Sequence, residues 1–349
     1  ATSGQNVPDS GPSRRKFIES LPESSESPLP GPAAVIVQFF GFIALAVSLA
    51  TCAKVGSWGV SFIDTSSIPL AIASIPIWYM LFTTAFTSIS VLAKHILVGK
   101  LRPGRYPLYG RTHLRWWLGN LFLRFGQQTV WAPFSDTIMG PWLLNALGAN
   151  VSSGAQTPFG GSAPSFSLID ADLLEVGKQA YVRNRGRVRA HMFVDGSLIL
   201  ATTNLGENSA VWSRGIVEPG ASLGEGALLD SHAVLSMGHR IASKAIARGI
   251  PATQSIGESA PQPIRVSGKE RFTHLVSATL LWPLGLGGML FGTCELLGLL
   301  PSTAGNFPAT ALMWILAYPA WLSVTALFGA GVVIAKQVTL GKLSEGEAE

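Results

Sequence analysis

From Leu205 to Ile246 the chain reads LGENSA, VWSRGI, VEPGAS, LGEGAL, LDSHAV, LSMGHR, IASKAI, seven consecutive blocks of six. The first residue of each block is aliphatic: Leu205, Val211, Val217, Leu223, Leu229, Leu235 and Ile241. The fifth is Ser209, Gly215, Ala221, Ala227, Ala233, His239 and Ala245, small in six of the seven. Three earlier blocks, VGKQAY, VRNRGR and VRAHMF, begin at Val176, Val182 and Val188. Neither the two-residue alternation of a half-buried strand nor the 3.6-residue helical period holds a beat of six. The pattern predicts a parallel β-helix, in which each block supplies one short strand and a corner and three blocks make a triangular coil. Aliphatic residues then fill the axis, and the small ones sit where the chain bends inward. Ten blocks give about three coils, near the minimum for a stable repeat array. Residues 189–204 break the beat and are expected to loop out of the coil. The Gly/Ser/Pro-rich stretch 152–167 is expected to be a loop leading into it.

Outside the blocks the composition changes character. The 349 residues are 48% hydrophobic and only 13% charged, against about 25% charged in an average soluble domain. This argues against a soluble enzyme, a disordered chain or a nucleic-acid binder. Two cysteines are too few for a disulfide framework or a four-thiolate zinc site. The apolar excess lies in four stretches: Ala33–Ala53, Ile68–Ala93, Leu275–Thr293 continuing to Leu300, and Pro308–Ala335. Each is long enough for the roughly 20 residues that a helix needs to cross a bilayer. Four transmembrane helices in two hairpins are predicted. Lys and Arg cluster before and after each hairpin (Arg14, Arg15, Lys16; Lys94, Lys100, Arg102, Arg105, Arg111; Arg265, Lys269, Arg271; Lys336, Lys342), whereas the hairpin loops hold only Lys54. By the positive-inside rule both termini and the central segment share one face. The net charge of +5 therefore reads as topology and contact with anionic lipid.

The hairpins match each other at an offset of 242: Thr51-Cys52 with Thr293-Cys294, Gly56 with Gly298, Lys94 with Lys336, and Gly99-Lys100-Leu101 with Gly341-Lys342-Leu343. The shared GKLxxG after each pair argues for duplication. The expected organisation is a Ser/Pro-rich polar arm, extended or disordered, at 1–32; hairpin 1 at 33–104; an amphipathic, interfacial helical segment at 105–150; the β-helix at 151–253; a linker at 254–272; and hairpin 2 with the tail at 273–349. In the helical segment Trp116, Trp117, Leu121 and Phe125 can share a face beside Arg115 and Arg124, as in a helix lying in the membrane interface. A first residue other than Met is compatible with removal of a targeting peptide, organellar or secretory.

Taken in order, YPLYGRTHLRWWL at 106–118, the hexads, the AHMF-x-D turn at 190–195 and Gly-Ile-Pro-Ala at 249–252 resemble the membrane-bound C-terminal region of nonribosomal peptide synthetases of the ε-poly-lysine-synthetase type. In that family transmembrane helices alternate with left-handed β-helix domains akin to hexapeptide acyltransferases. The resemblance implies a membrane α plus β chain, with two duplicated hairpins flanking one left-handed parallel β-helix. It covers about 33–349, but here there is one soluble domain, and no adenylation or carrier domain. The family turn reads Thr-His-x-Phe-Glu-Asp, and here Ala190 and Val194 stand at its Thr and Glu positions.

Two functions follow from the resemblance. In the first, the chain is a membrane-integral accessory or scaffold subunit of a larger membrane complex, built on a degenerate transferase-like domain. Lipid and larger membrane proteins would be its partners, and a plastid or mitochondrial membrane its setting. In the second it is a membrane-bound acyl- or aminoacyl-transferase that takes its donor from another protein. His191 would be the general base, held by Asp195 or by a backbone carbonyl. His95, His274 and Gln38, in or beside the spans, are candidate ligands for a pigment or haem, since polar groups there are candidate functional sites. Lys94, next to His95, is expected at the headgroups. His232 and His239, seven apart, fit no zinc site: His239 takes an inward fifth position and His232 an outward one. No metal is expected, and no nucleic acid.

Overall fold

The computed structural model describes residues 5–7, 13–63, 68–135, 137–152, 154–158, 164–183, 185–256 and 268–284. The helices are α1 (Arg14–Ser20), α2 (Gly31–Val60), α3 (Ile68–Ala93), α4 (Arg111–Gln128), α5 (Met139–Ala146) and α6 (Gly268–Val276). Two compact units divide the chain: Ala1–Gly56 with Leu81–Val276, and Ser57–Met80 with everything from Ser277.

The hexads form the coil that their period predicts. Strands pair in parallel with a step of eighteen residues: Leu205 opposite Leu223 opposite Ile241, Val211 opposite Leu229 opposite Ala247, and Val217 opposite Leu235. Each first-position side chain therefore stacks on its counterpart one coil away, and all of these residues are buried. The corners obey one rule that composition hides. The fourth residue of the block adopts positive φ at Gln179, Arg185, Asn208, Arg214, Gly220, Gly226, His232, Gly238 and Lys244. At each of these corners the fifth residue's N–H donates to the second residue's carbonyl, at 2.8–3.2 Å. Positive φ at the third turn position with this bond is the type II turn. The corner is thus built by backbone geometry at position four, and the small residue at position five fills the inward bend.

Between the first and second coils the step grows from eighteen to 29, with Val182 opposite Val211 and Val188 opposite Val217. The eleven extra residues form the antiparallel hairpin His191–Val194/Ser197–Leu200, which leaves the coil and pairs with Gly104–Pro107. The described residues of the expected 152–167 loop do more than connect. With Asn150–Val151 they form a partial, irregular coil ahead of the first, Val151, Gln156 and Phe166 bridging in parallel to Val176, Tyr181 and Val188. At the other end Thr253–Ile256 turns back antiparallel on Ile246–Arg248, and Gln5–Val7 pairs antiparallel on it in turn.

From Ser13 the N-terminal arm lies on the coil. Ser13 caps α1, and Phe17 seats over Gly220 and Gly238, corner residues of successive coils. Farther on, Glu26 accepts from the backbone N–H and hydroxyl of Thr112 at 2.9 and 2.7 Å. Among the described residues two helices, Gly31–Val60 and Ala73–Val98, are long and apolar enough to cross a membrane. At 1.5 Å per residue their 30 and 26 residues reach about 45 and 39 Å, against about 30 Å of hydrocarbon. α2 exposes Val35, Phe39, Phe40, Phe42 and Val47. The third expected span is helical through residue 284; its remainder and the fourth lie outside the described residues. In the second unit Trp78 Nε1–H donates to Ser57 Oγ at 3.4 Å.

Lys94 is not at a headgroup. The last turn of the second apolar helix, Lys94–Val98, widens to an i→i+5 bond from Gly99 N–H to Lys94 O at 3.0 Å. It carries the ammonium of Lys94, fully buried, onto Asp172, whose Oδ2 also accepts from Leu101 N–H at 3.0 Å. Nor does α4 show the face expected of an interfacial helix. Its buried residues are His113, Leu114, Trp116, Gly119, Phe122, Leu123, Gly126 and Gln127, with Trp117, Leu121 and Phe125 half-buried. Trp117 meets Phe42 of α2 edge-on at 5.6 Å.

Candidate active site

α4 presents Trp116, Asn120, Arg124 and Gln127 along one stripe, because residues three and four apart share a helical face. Opposite them stand residues 164–167 of the irregular coil and the last strand of the first coil with its exit, Arg187, Val188, Arg189 and His191. Together these line a cavity of about 300 Å³. Gln127 Nε2–H fastens the two walls, donating to Phe166 O at 2.8 Å.

His191 opens the inserted hairpin, where the chain leaves the coil. Its Nδ1 meets Asp170 Oδ2, and Trp116 Nε1–H donates to Asp170 Oδ1 at 2.8 Å. Asp170 is completely buried, at 0% exposure, while the His191 side chain keeps 20%. A carboxylate at Nδ1 holds the ring proton there and leaves Nε2 as the basic nitrogen. The Trp116 ring lies 4.8 Å from the imidazole, centroid to centroid, and Phe193 flanks both. An imidazole oriented by a buried acid and walled by aromatic rings has the geometry that proton transfer requires.

Asp195 is not the partner of His191. It occupies the hairpin turn with Gly196, both at positive φ (46° and 70°), as the two-residue type I′ turn requires. The carboxylate that holds His191 comes from Asp170, 21 residues upstream in LIDADL. The available signal was two acids set among aliphatic residues just before the first hexad. One of them, Asp172, serves Lys94, and the other serves His191.

The remaining candidates do not converge. His95 directs Nε2 to Ala146 O at 2.8 Å, Gln38 is half-buried on α2, and His274 lines a separate cavity with Arg183 and Arg271. His239 is buried and bonds Met237 O at 2.9 Å. His232 is an exposed corner residue beside Arg214 at 3.2 Å. Among the described residues no three His, Cys, Asp or Glu side chains gather as a metal site would require.

His113, one turn before Trp116, stacks on its ring at 6.4 Å and accepts from Tyr109 N–H through Nδ1 at 3.0 Å. Burial holds its pKa below the ordinary histidine value. Arg189 is also lowered, first by loss of water and then by the neighbouring guanidinium of Arg187; Glu218 opposes the shift and Arg124 adds to it.

No known family profile matches the chain. Over 154 residues, 44% of this chain, it is 29% identical to the delta-poly-L-ornithine synthetase of Acinetobacter baumannii (strain AB307-0294), covering 11% of that protein. Among solved structures it is similar to a galactoside acetyltransferase in complex with coenzyme A (13% identity, 40% of this chain and 79% of that one, TM-score 0.24). It is similar also to a maltose O-acetyltransferase from Clostridium difficile 630 (14%, 36% and 81%, TM-score 0.23). The chain is thus related in part to a poly-amino-acid synthetase, and its β-helix, established by its own strand pairing, is of the hexapeptide-repeat kind.

Proposed function

We propose that the chain is a membrane-anchored acyl- or aminoacyl-transfer module in which His191 is the general base and Asp170 its positioning residue. The observation that carries this is the His191–Asp170–Trp116 constellation at the wall of a ligand-sized cavity. The donor would be a thioester made elsewhere and the acceptor an amine or hydroxyl. As the acceptor's nitrogen or oxygen attacks the acyl carbon, Nε2 takes its proton. The C–S bond then breaks, and the proton passes to the departing thiolate. Asp170 keeps the proton on Nδ1 and stabilises the imidazolium formed in between. The partial match to a synthetase supports a role in joining amino acids.

The apolar faces of α2 and α3 support a membrane position with the soluble coil on the Lys/Arg-rich side. They equally suit docking to larger membrane proteins, the scaffold role; stoichiometric co-purification with a complex would be its signature. The deciding experiment supplies full-length protein in detergent with an aminoacyl thioester of a small thiol and an amine acceptor. Amide formation is followed by mass spectrometry and thiol release by absorbance. Loss of about 10²–10⁴-fold in His191→Ala is expected from removal of a general base. Turnover equal to wild type in that variant would overturn the reading.

A further inference from the structure

We infer that the cavity beside His191 receives an anionic group of its substrate, a carboxylate or phosphate, and that Arg124, Arg187 and Arg189 impose this choice. The inference rests on the transfer reading of the same site, but it concerns the charge of what binds, not turnover.

Three guanidinium groups line one cavity of about 300 Å³ with Asn120, Gln127 and Ser165, and no lining residue among those described carries a carboxylate. Asp170 lies behind His191, bonded to it and to Trp116, and its single negative charge still leaves the three guanidinium groups in excess. Elsewhere Arg15, Arg105 and Arg248 find acids, Glu19, Glu23 and Asp230. The side chains of Arg124, Arg187 and Arg189 make no ion pair or hydrogen bond with any described residue. Arg189 is half-buried, and Glu218 only partly offsets the effect of Arg187 and Arg124 upon it. Like charges gathered in a concave, partly desolvated site make a strong positive potential that an anion relieves. A second, independent observation points the same way. Ser165, 2% exposed, is among the residues lining this cavity, and its hydroxyl has no hydrogen-bond partner among the described residues. Buried hydroxyls are nearly always satisfied, and an oxyanion held by the arginines would accept its proton. The planar forks of arginine suit carboxylate and phosphate alike. A cationic amine that brings no anionic group of its own would be repelled from the same space.

Calorimetric titration of the full chain in detergent tests this with three probes: succinate, inorganic phosphate and 1,4-diaminobutane. One or both anions should bind and the diamine should not. Arg187→Gln with Arg189→Gln should weaken anion binding at least tenfold, and so should Arg124→Gln alone, with thermal melting to confirm that each variant folds. Preference for succinate, lost in the Arg187→Lys/Arg189→Lys pair, would identify a carboxylate; preference for phosphate, kept in that pair, would identify a phosphate. Absence of anion binding, equal binding of the diamine, or arginine variants that bind as wild type would each overturn the inference. His191→Ala should keep anion binding while losing turnover. A chain that binds anions but transfers nothing fails the transfer reading alone, and one that transfers through His191 without binding anions fails this inference alone.

Discussion

At the residue scale the least obvious contribution comes from side chains that correct a geometry. Phe17 belongs to a helix of seven residues, far shorter than the dozen or so that hold in isolation. Its ring fills the space above two glycines, Gly220 and Gly238, both at positive φ. Gly238→Ala would add the left-handed backbone cost of about 1–2 kcal/mol and a methyl group where the ring lies. The expected result is release of the arm, read as rapid proteolysis between residues 13 and 30; a resistant arm would contradict the seating of Phe17. His113 gives a prediction about pH. Its pKa is lowered in the folded state, so the unfolded chain binds the proton more readily. Stability is complete above the ordinary value of about 6.5 and is lost as pH falls from there toward the lowered folded value. Urea midpoints should drop between pH 7.5 and 5.5, and His113→Asn, which keeps an acceptor for Tyr109 N–H, should flatten that drop.

At the scale of elements, the join between the second apolar helix and the entry to the coil depends on Lys94 and Asp172. Removing one member of a buried ion pair typically costs about 3–5 kcal/mol, whereas replacing both by apolar residues is often neutral. Lys94→Met alone should therefore lower the chemical-denaturation midpoint sharply, and Lys94→Met with Asp172→Leu should restore most of it. A single variant as stable as wild type would mean that the pair is idle. Sequence reading placed Lys94 among the topology charges because position along the chain says nothing of a turn that widens and rotates a side chain inward. The same limit hid Asp170. The hexads, the excluded segment 189–204 and His191 were legible because period and motif are local. The acid that holds His191 arrives through a 3₁₀ stretch and a helix, a contact with no period. Its variant Asp170→Asn should keep the fold and lower turnover about 10²-fold or more, as loss of the carboxylate behind a catalytic histidine does. Unchanged turnover would assign the constellation to packing.

At the scale of the whole molecule, composition announced a membrane chain, and the described residues divide that apolar content between two long helices and a coil core. The aliphatic columns at Leu205, Val211 and Val217 are as apolar as any span yet belong to a folded domain. Percentages alone cannot make this division, because a buried strand and a lipid-facing turn use the same residues. With α2 and α3 as spans, the protein should float with lipid vesicles through alkaline carbonate. The coil should be digested by protease only from the side that carries the basic flanks. Release by carbonate would place those helices against protein instead of lipid.

The reversal at Thr253–Ile256 has a consequence for length. A parallel coil ends in a row of unpaired backbone groups, and any sequence with the right beat could be added to it, including one from a neighbouring molecule. Here the final strand runs the opposite way and is covered by Gln5–Val7. On this side of the coil a further rung would meet Gln5–Val7 in place of Ile246–Arg248. One of the coil's three sides is therefore closed to direct addition on Ile246–Arg248, by strands drawn from two distant parts of the sequence.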